Sequence, residues 1–173
     1  MSTELEVELT FLASDLPPEI SGGKPQILKD VYVNRSNGLW ILRLRKRDNY
    51  FELTKKLKLS PTDHSLHEET NIEITEDEYN ILAPCSELVI EKKRYKVDIE
   101  GRSAEVDVFG GRLKGLVLID FEFPSVTDRD AFSAPKYCLY DATQDKEISA
   151  GVLVGKSYSD MEEWLTTKGY KNL

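Results

Sequence analysis

The stretch LRLRKRDNYFELTKKLK, residues 42–58, alternates charged or polar with apolar side chains on both sides of an Asp-Asn pair. Because successive side chains of a strand point to opposite faces, this alternation predicts two strands with one polar face each. The polar faces carry Arg43, Arg45 and Arg47 on the first strand and Thr54, Lys56 and Lys58 on the second. Asp48–Asn49 suits a tight turn, so residues 39–47 and 50–59 are predicted to form a β-hairpin.

The same alternation predicts strands along most of the chain. Beside the first hairpin we expect strands near 4–11, 26–34, 67–74, 88–100, 102–109 and 116–123, with turns at 36–38 and around Gly101. About eight strands joined by short turns favour one mainly β domain over residues 1–173, of α+β composition. Closure into an eight-stranded antiparallel β-barrel is expected, because closure removes the exposed edges of the sheet.

A few peripheral helices complete the predicted fold. Thr75 followed by Glu78 is a capping box that begins a helix, and Ser125 or Thr127 opens a short acidic one. Residues 160–168 are predicted to form a C-terminal helix that ends before Gly169.

Composition limits the classes of function. The net charge of −8 argues against general nucleic-acid binding, which draws most of its affinity from a basic surface. The longest apolar runs are too short to span a membrane, and the first residues lack the apolar stretch of a signal peptide. Cys85 and Cys138 are expected to be reduced thiols, which indicates a cytoplasmic protein.

The charges are segregated by strand. Bases recur at Lys92, Arg94 and Lys96, whereas other strands carry acids at Glu4, Glu6, Glu8, Glu105, Asp107, Asp120 and Glu122. Solvated outer faces are one interpretation. The alternative is a barrel with a charged interior, which is costly unless the charges meet partners or ligands. A triphosphate with a bound cation would satisfy both signs.

Several motifs, in order, resemble the CYTH superfamily, also called the triphosphate tunnel metalloenzymes, over roughly residues 4–154. They are EVELTFL at 6–12, LRLR at 42–45, YFELTKK at 50–56, KKRY at 92–95, EVDVFG at 105–110 and DFEF at 120–123. The chain departs from the family at four positions. Thr10 stands where the signature has lysine, His67 and Asn71 replace an expected arginine and glutamate, and Asp120 conservatively replaces a glutamate.

The resemblance implies an eight-stranded tunnel that binds a small triphosphate-containing molecule. It implies that Arg43, Arg45, Lys56, Lys92 and Arg94 bind the phosphates. It also implies that Mg²⁺ or Mn²⁺ is held by Glu6, Glu8, Glu122, Asp120 and Asp107. No catalytic residue is predicted, because threonine at position 10 lacks the charge of the signature lysine. His64 and His67 are expected to be surface residues.

Metal-dependent hydrolysis of inorganic, nucleoside or thiamine triphosphate is the expected function. A class IV-type adenylate cyclase remains an alternative within the family, and so does a non-catalytic polyphosphate- or nucleotide-binding module, because of Thr10. A barrel carrying an apolar ligand is a third alternative, which inward-pointing charges oppose. The sequence is compatible with a monomer or a homodimer.

Overall fold

A computed structural model describes residues 1–33 and 40–173. The turn predicted at 36–38 lies outside these residues. The strands are β1 (Ser2–Ala13), β2 (Gln26–Val33), β3 (Trp40–Arg47), β4 (Tyr50–Lys58), β5 (Leu66–Ile74), β6 (Val89–Ile99), β7 (Arg102–Phe109), β8 (Val117–Glu122) and β9 (Cys138–Asp141). The α-helices are α1 (Glu76–Leu82), α2 (Val126–Asp130), α3 (Ala150–Leu153) and α4 (Tyr158–Thr167).

Eight of the strands close into an antiparallel barrel, which confirms the predicted fold class. The order around the barrel is β5-β4-β3-β2-β6-β7-β8-β1, and β1 then pairs with β5. The ninth strand, β9, was not predicted. It has four residues, and its pairing with the last residues of β1 brings together segments that are distant in sequence.

Both predicted tight hairpins are present. Arg47 pairs with Tyr50 across the Asp48–Asn49 turn, where Asp48 has a φ of 52°. Ile99 pairs with Arg102, and both residues between them have positive φ, 54° at Glu100 and 81° at Gly101. Positive φ at both central residues matches the right-handed twist of the flanking strands.

The predicted capping residues lie at the starts of α1 and α2, and α4 begins two residues earlier than predicted. Thr75 and Glu78 form the predicted capping box at the start of α1. The side chain of Ser125 caps α2 by accepting a hydrogen bond from the backbone N–H of Asp128. Helix α4 begins at Tyr158, two residues before the predicted start, because Ser157 and Asp160 form a second capping box.

The apolar cores lie outside the barrel wall and at one of its ends. Under α1 they contain Val31, Leu44, Phe51 and Tyr79. The outer face of β1, β7 and β8 contributes a second core, against which Phe132 packs. A third joins inward-facing side chains at one end of the barrel to α3 and α4, among them Ile90, Phe109, Leu118, Leu153 and Met161. The interior is therefore apolar at that end, and its charged residues lie further along the same strands.

No helix within the described ranges is long and apolar enough to cross a membrane.

Candidate functional site

The charged faces of the strands point into the barrel. They line a cavity of about 380 Å³, a size typical of small-molecule sites. All the residues for which the sequence predicted phosphate or metal binding line this cavity: Glu6, Glu8, Arg43, Arg45, Lys56, Lys92, Arg94, Asp107, Asp120 and Glu122. The interpretation of these faces as solvated outer faces is therefore wrong, and the charged lining argues against a barrel that carries an apolar ligand. Their roles as ligands stay predictions.

Strand register places acids beside one another on β1, β7 and β8. Glu8 pairs with Glu122 across β1 and β8, Thr10 pairs with Asp120 on the same two strands, and Glu105 pairs with Asp120 across β7 and β8. Directly opposed side chains of an antiparallel pair lie about 5 Å apart at Cβ and share one face. The pairing therefore concentrates negative charge on one wall of the cavity.

The ammonium of Lys56 lies between the two inward glutamates of β1. Its Nζ is 2.8 Å from Glu8 Oε1 and also contacts Glu6 Oε2. Burial raises the pKa of Glu6 to about 7, since Lys56 only partly offsets it and Glu8 and Glu69 repel the ionised form. Burial opposes ionisation of Glu8 too, but Lys56 outweighs it and holds the pKa of Glu8 below its usual value. The two carboxylates thus share the charge of Lys56.

On the opposite side, Lys92 and Arg94 of β6 hold Asp107 of β7. Lys92 Nζ is 2.5 Å from Asp107 Oδ2, while Arg94 donates from Nε to Oδ1 at 2.7 Å and from NH2 to Oδ2 at 2.6 Å. Burial would raise the pKa of Asp107, but these two cations depress it well below its ordinary value. Arg94 also contacts Glu105. Asp107 is therefore ionised and already bound by two bases.

Arg45 is held by a residue that the sequence analysis missed. Asp30 of β2 is fully buried and receives a bidentate pair of hydrogen bonds from Arg45, Nε to Oδ1 and NH2 to Oδ2, both at 2.7 Å. Burial opposes ionisation of Asp30, yet Arg45 brings its pKa down to about 2. The sequence contained a sign of this buried pair, because Asp30 is a charged residue on a strand face that it shares with the apolar side chains of Leu28 and Tyr32.

Arg43 keeps a polar atom free. Its NH2 donates to Thr54 Oγ1 at 3.1 Å, and Glu52 and Glu69 lie at 3.8 Å. Its Nε is buried and has no hydrogen-bond partner among the described residues. Asn71, at the position of an expected glutamate, accepts from Thr54 at 2.7 Å and donates to Glu69 at 3.0 Å, which links β4 to β5.

Thr10 lies where the charged part of the interior meets its apolar end. Its hydroxyl donates to Asp120 Oδ1 at 2.7 Å, and its backbone N–H donates to Thr143 Oγ1 at 3.0 Å. Burial raises the pKa of Asp120 to about 7. Asp107 and Glu8 add to the rise, and Arg94, at 3.7 Å, offsets it only in part. A neutral hydroxyl therefore faces a carboxyl group whose charge is poorly compensated.

The predicted surface position of His67 is wrong. The fifth strand begins at Leu66, so His67 lies inside it, is 8% exposed and lines the cavity. Burial and the nearby Lys56 lower the pKa of His67 to about 4. His64 lies in the segment between β4 and β5, is half-buried and lines the cavity. His67 is the second residue of β5, so whether it is buried or exposed depends on where that strand begins, which the sequence pattern did not determine to within one residue.

Two curated proteins similar to this chain are both inorganic triphosphatases. An inorganic triphosphatase of Nitrosomonas europaea is 29% identical to this chain over 143 residues, which are 82% of this chain and 91% of that protein. An inorganic triphosphatase of Acetivibrio thermocellus is 35% identical over 79 residues, which are 46% of this chain and 49% of that protein. No family model matches the chain.

The solved structures agree with the motifs. The crystal structure of an inorganic triphosphatase superposes with a TM-score of 0.63 at 28% identity, over 86% of this chain and 93% of that one. These relatives and the shared fold support the CYTH superfamily, which the order of the motifs resembles. A Bacillus halodurans protein proposed to be an adenylate cyclase has a TM-score of 0.56 at 16% identity, over 100% of this chain and 94% of that one, and shares the fold. Thr10, His67, Asn71 and Asp120, the positions that depart from the CYTH motifs, all line the cavity.

Proposed function

We propose that this protein hydrolyses a triphosphate-containing small molecule inside the barrel, with the help of a divalent cation. The observation that carries the proposal is the cavity inside the barrel, in which bases of β3, β4 and β6 face acids of β1, β7 and β8. Phosphoryl oxygens need cationic donors, and a bound cation needs oxygen ligands. A triphosphate with its cation would therefore interact favourably with both the basic and the acidic side of the cavity. Both inorganic triphosphatase relatives support the same activity.

Glu6 and Glu8 fit a divalent cation best. Their carboxylate oxygens and His67 lie within 4.8 Å of one another, and hard oxygen atoms suit Mg²⁺ or Mn²⁺. The cation, when bound, would offset negative charge on the phosphoryl oxygens during in-line attack by water. Asp107 is already bound by two bases, so within this proposal its main role is to orient Lys92 and Arg94.

Arg43, Lys56, Lys92 and Arg94 are the proposed phosphate-binding residues. The guanidinium groups would bind oxygens through two donors each, and the ammonium groups would act as point charges. Arg45 supports this wall through its bidentate pair with Asp30, which leaves NH1 as its remaining nitrogen toward Glu52, at 4.0 Å. The strands hold every one of these bases in place before substrate arrives, which reduces the cost of ordering them on binding.

Phosphate release tests the activity directly. Purified protein is incubated with tripolyphosphate, ATP or thiamine triphosphate and either Mg²⁺ or Mn²⁺, beside a Glu6→Gln variant. We expect metal-dependent release with at least one substrate, and loss of release in the variant. A cyclic product from ATP would support the cyclase alternative. No release and no metal-dependent binding of any of the three would reject the proposal.

Arg43→Met tests the phosphate-binding wall. Among the described residues Arg43 donates one hydrogen bond, to Thr54, has ion-pair partners only at 3.8 Å, and has an Nε without a partner. Its removal should therefore weaken triphosphate binding without unfolding the protein. A hydrogen bond to a charged group contributes about 1.5–3 kcal/mol, which predicts a Kd about 10- to 150-fold higher by calorimetry. Lys46→Met on the same strand is the control, because Lys46 lies on the opposite face of β3, does not line the cavity, and has a side chain that is 43% exposed. Equal Kd values for the two variants would contradict the assignment.

A non-catalytic binding module is the second candidate. The observation that favours it is the hydroxyl of Thr10, bonded to Asp120 where the family signature has an ammonium group. Tight metal-dependent binding of tripolyphosphate without turnover, together with phosphate release in Thr10→Lys, would select it.

We also propose a cytoplasmic location. The supporting observation is that Cys85, which is exposed, and Cys138, which is half-buried, are both free thiols.

A further inference from the structure

His67 occupies a position that brings a nitrogen atom to the two glutamates of β1. It pairs with Glu6 across β1 and β5, so both side chains point into the cavity. Its Nδ1 lies 3.9 Å from Glu6 Oε2 and 3.9 Å from Glu8 Oε1. These distances are too long for hydrogen bonds. The imidazole therefore faces the carboxylates without being bonded to them.

The Nδ1 atom of His67 has no hydrogen-bond partner among the described residues, although the residue is more than nine-tenths buried. A buried polar atom without a partner costs free energy, so its persistence calls for a ligand. This is an observation separate from the pair of acids, and it points to the same place in the cavity.

The spacing of the three side chains fits one metal ion. Their ligand atoms lie within 4.8 Å of one another. With metal–ligand bonds of about 2.1 Å, ligands in an octahedral shell lie about 3.0 Å apart at right angles and about 4.2 Å apart when opposite. Separations of 3.9 Å fall between these values, so small side-chain rotations would bring all three atoms onto one ion.

We infer that Glu6, Glu8 and His67 form a mixed oxygen and nitrogen site, which favours a divalent transition-metal ion such as Mn²⁺ over Mg²⁺. The inference rests on the proposed function and specifies its metal. Mg²⁺ prefers oxygen ligands and water, whereas imidazole suits first-row transition ions, whose affinity for nitrogen ligands is higher. Replacing the family's arginine by His67 thus changes which ion the site selects.

Lys56 is the competitor for this site. Its ammonium group now contacts both glutamates, so an ion bound there takes over that charge and releases Lys56 toward the substrate phosphates. Metal and triphosphate are therefore expected to bind cooperatively, each favouring the same displacement of Lys56.

Pulsed electron paramagnetic resonance on the Mn²⁺-loaded protein, without substrate, tests the ligand directly. The chain has two histidines, so ¹⁵N-histidine labelling in a His64→Ala variant leaves His67 as the single labelled residue. We expect ¹⁵N coupling to Mn²⁺ in this variant and no coupling in His67→Asn. Calorimetry should give a Mn²⁺ Kd raised about tenfold or more in His67→Asn, a smaller change for Mg²⁺, and no change in His64→Ala.

The results separate the inference from the proposed function. Absence of ¹⁵N coupling, or equal Mn²⁺ affinity of His67→Asn and the parent protein, overturns the inference even where phosphate is released. Coupling in a protein that releases no phosphate supports the metal site and removes the hydrolase. Circular dichroism verifies that both variants are folded. The ¹⁵N coupling in His64→Ala tests the inference even where His67→Asn fails to fold, because it is measured in a protein that keeps His67.

Discussion

Replacing Thr10 with lysine tests the electrostatics of Asp120. In the parent protein Asp120 has a pKa of about 7 instead of 3.8, because it is buried beside Asp107 and Glu8. A rise of about three pKa units corresponds to about 4 kcal/mol, since one unit is worth about 1.4 kcal/mol. This is the largest penalty that ionisation of Asp120 can impose on the folded state.

The penalty depends on pH in a defined direction. An acid whose pKa is raised by folding binds its proton more tightly in the folded state, so the parent loses stability as pH rises from about 4 to about 7. A lysine ammonium about 5 Å from Asp120 would contribute about 3 kcal/mol at an effective dielectric constant of 20. Most of the loss should therefore disappear in Thr10→Lys.

The measurement is the free energy of unfolding in urea across this pH range. The difference between Thr10→Lys and the parent should grow by about 3 kcal/mol between pH 4 and pH 8. The cost of burying the lysine shifts the whole curve but does not change with pH in this range. Thr10→Met, which is long but uncharged, is the control and should show no such growth. A difference independent of pH in Thr10→Lys would refute the reasoning.

Two further predictions concern stability. Asp30→Asn leaves the guanidinium of Arg45 buried without its carboxylate, which should lower the free energy of unfolding in urea by about 3–5 kcal/mol. The control is Lys29→Gln, which removes an exposed ion pair and should cost less than about 1 kcal/mol. Similar losses in the two variants would contradict this prediction. Tyr170→Phe removes the hydroxyl that accepts the backbone N–H of Val117 at 2.8 Å, and a buried donor left unpaired should cost about 1–3 kcal/mol in thermal unfolding. An unchanged melting temperature would show that the hydroxyl is dispensable.

Local sequence predicted much of this barrel because period-two alternation is a property of each strand by itself. The residues that line the cavity follow from the alternation of 42–58 and of the later strands, and the hairpin turns follow from Asp48–Asn49 and Gly101. Helix starts were predictable where a capping side chain lies three residues from its partner, as at Thr75 and Glu78. The four-residue strand β9 could not be predicted from local sequence, because its extended conformation is stabilised by pairing with β1, which is distant along the chain.

The sequence by itself predicted a charged face on most of the strands, and the order of its motifs indicated the family that it resembles. Only the tertiary structure decided that these faces point inward and which charges meet. Asp30 binds Arg45, Lys56 lies between Glu6 and Glu8, and His67 turns toward the same two acids a nitrogen that has no partner in the part of the chain described. The physical reason is that register across paired strands, and not position along one strand, determines which side chains are neighbours.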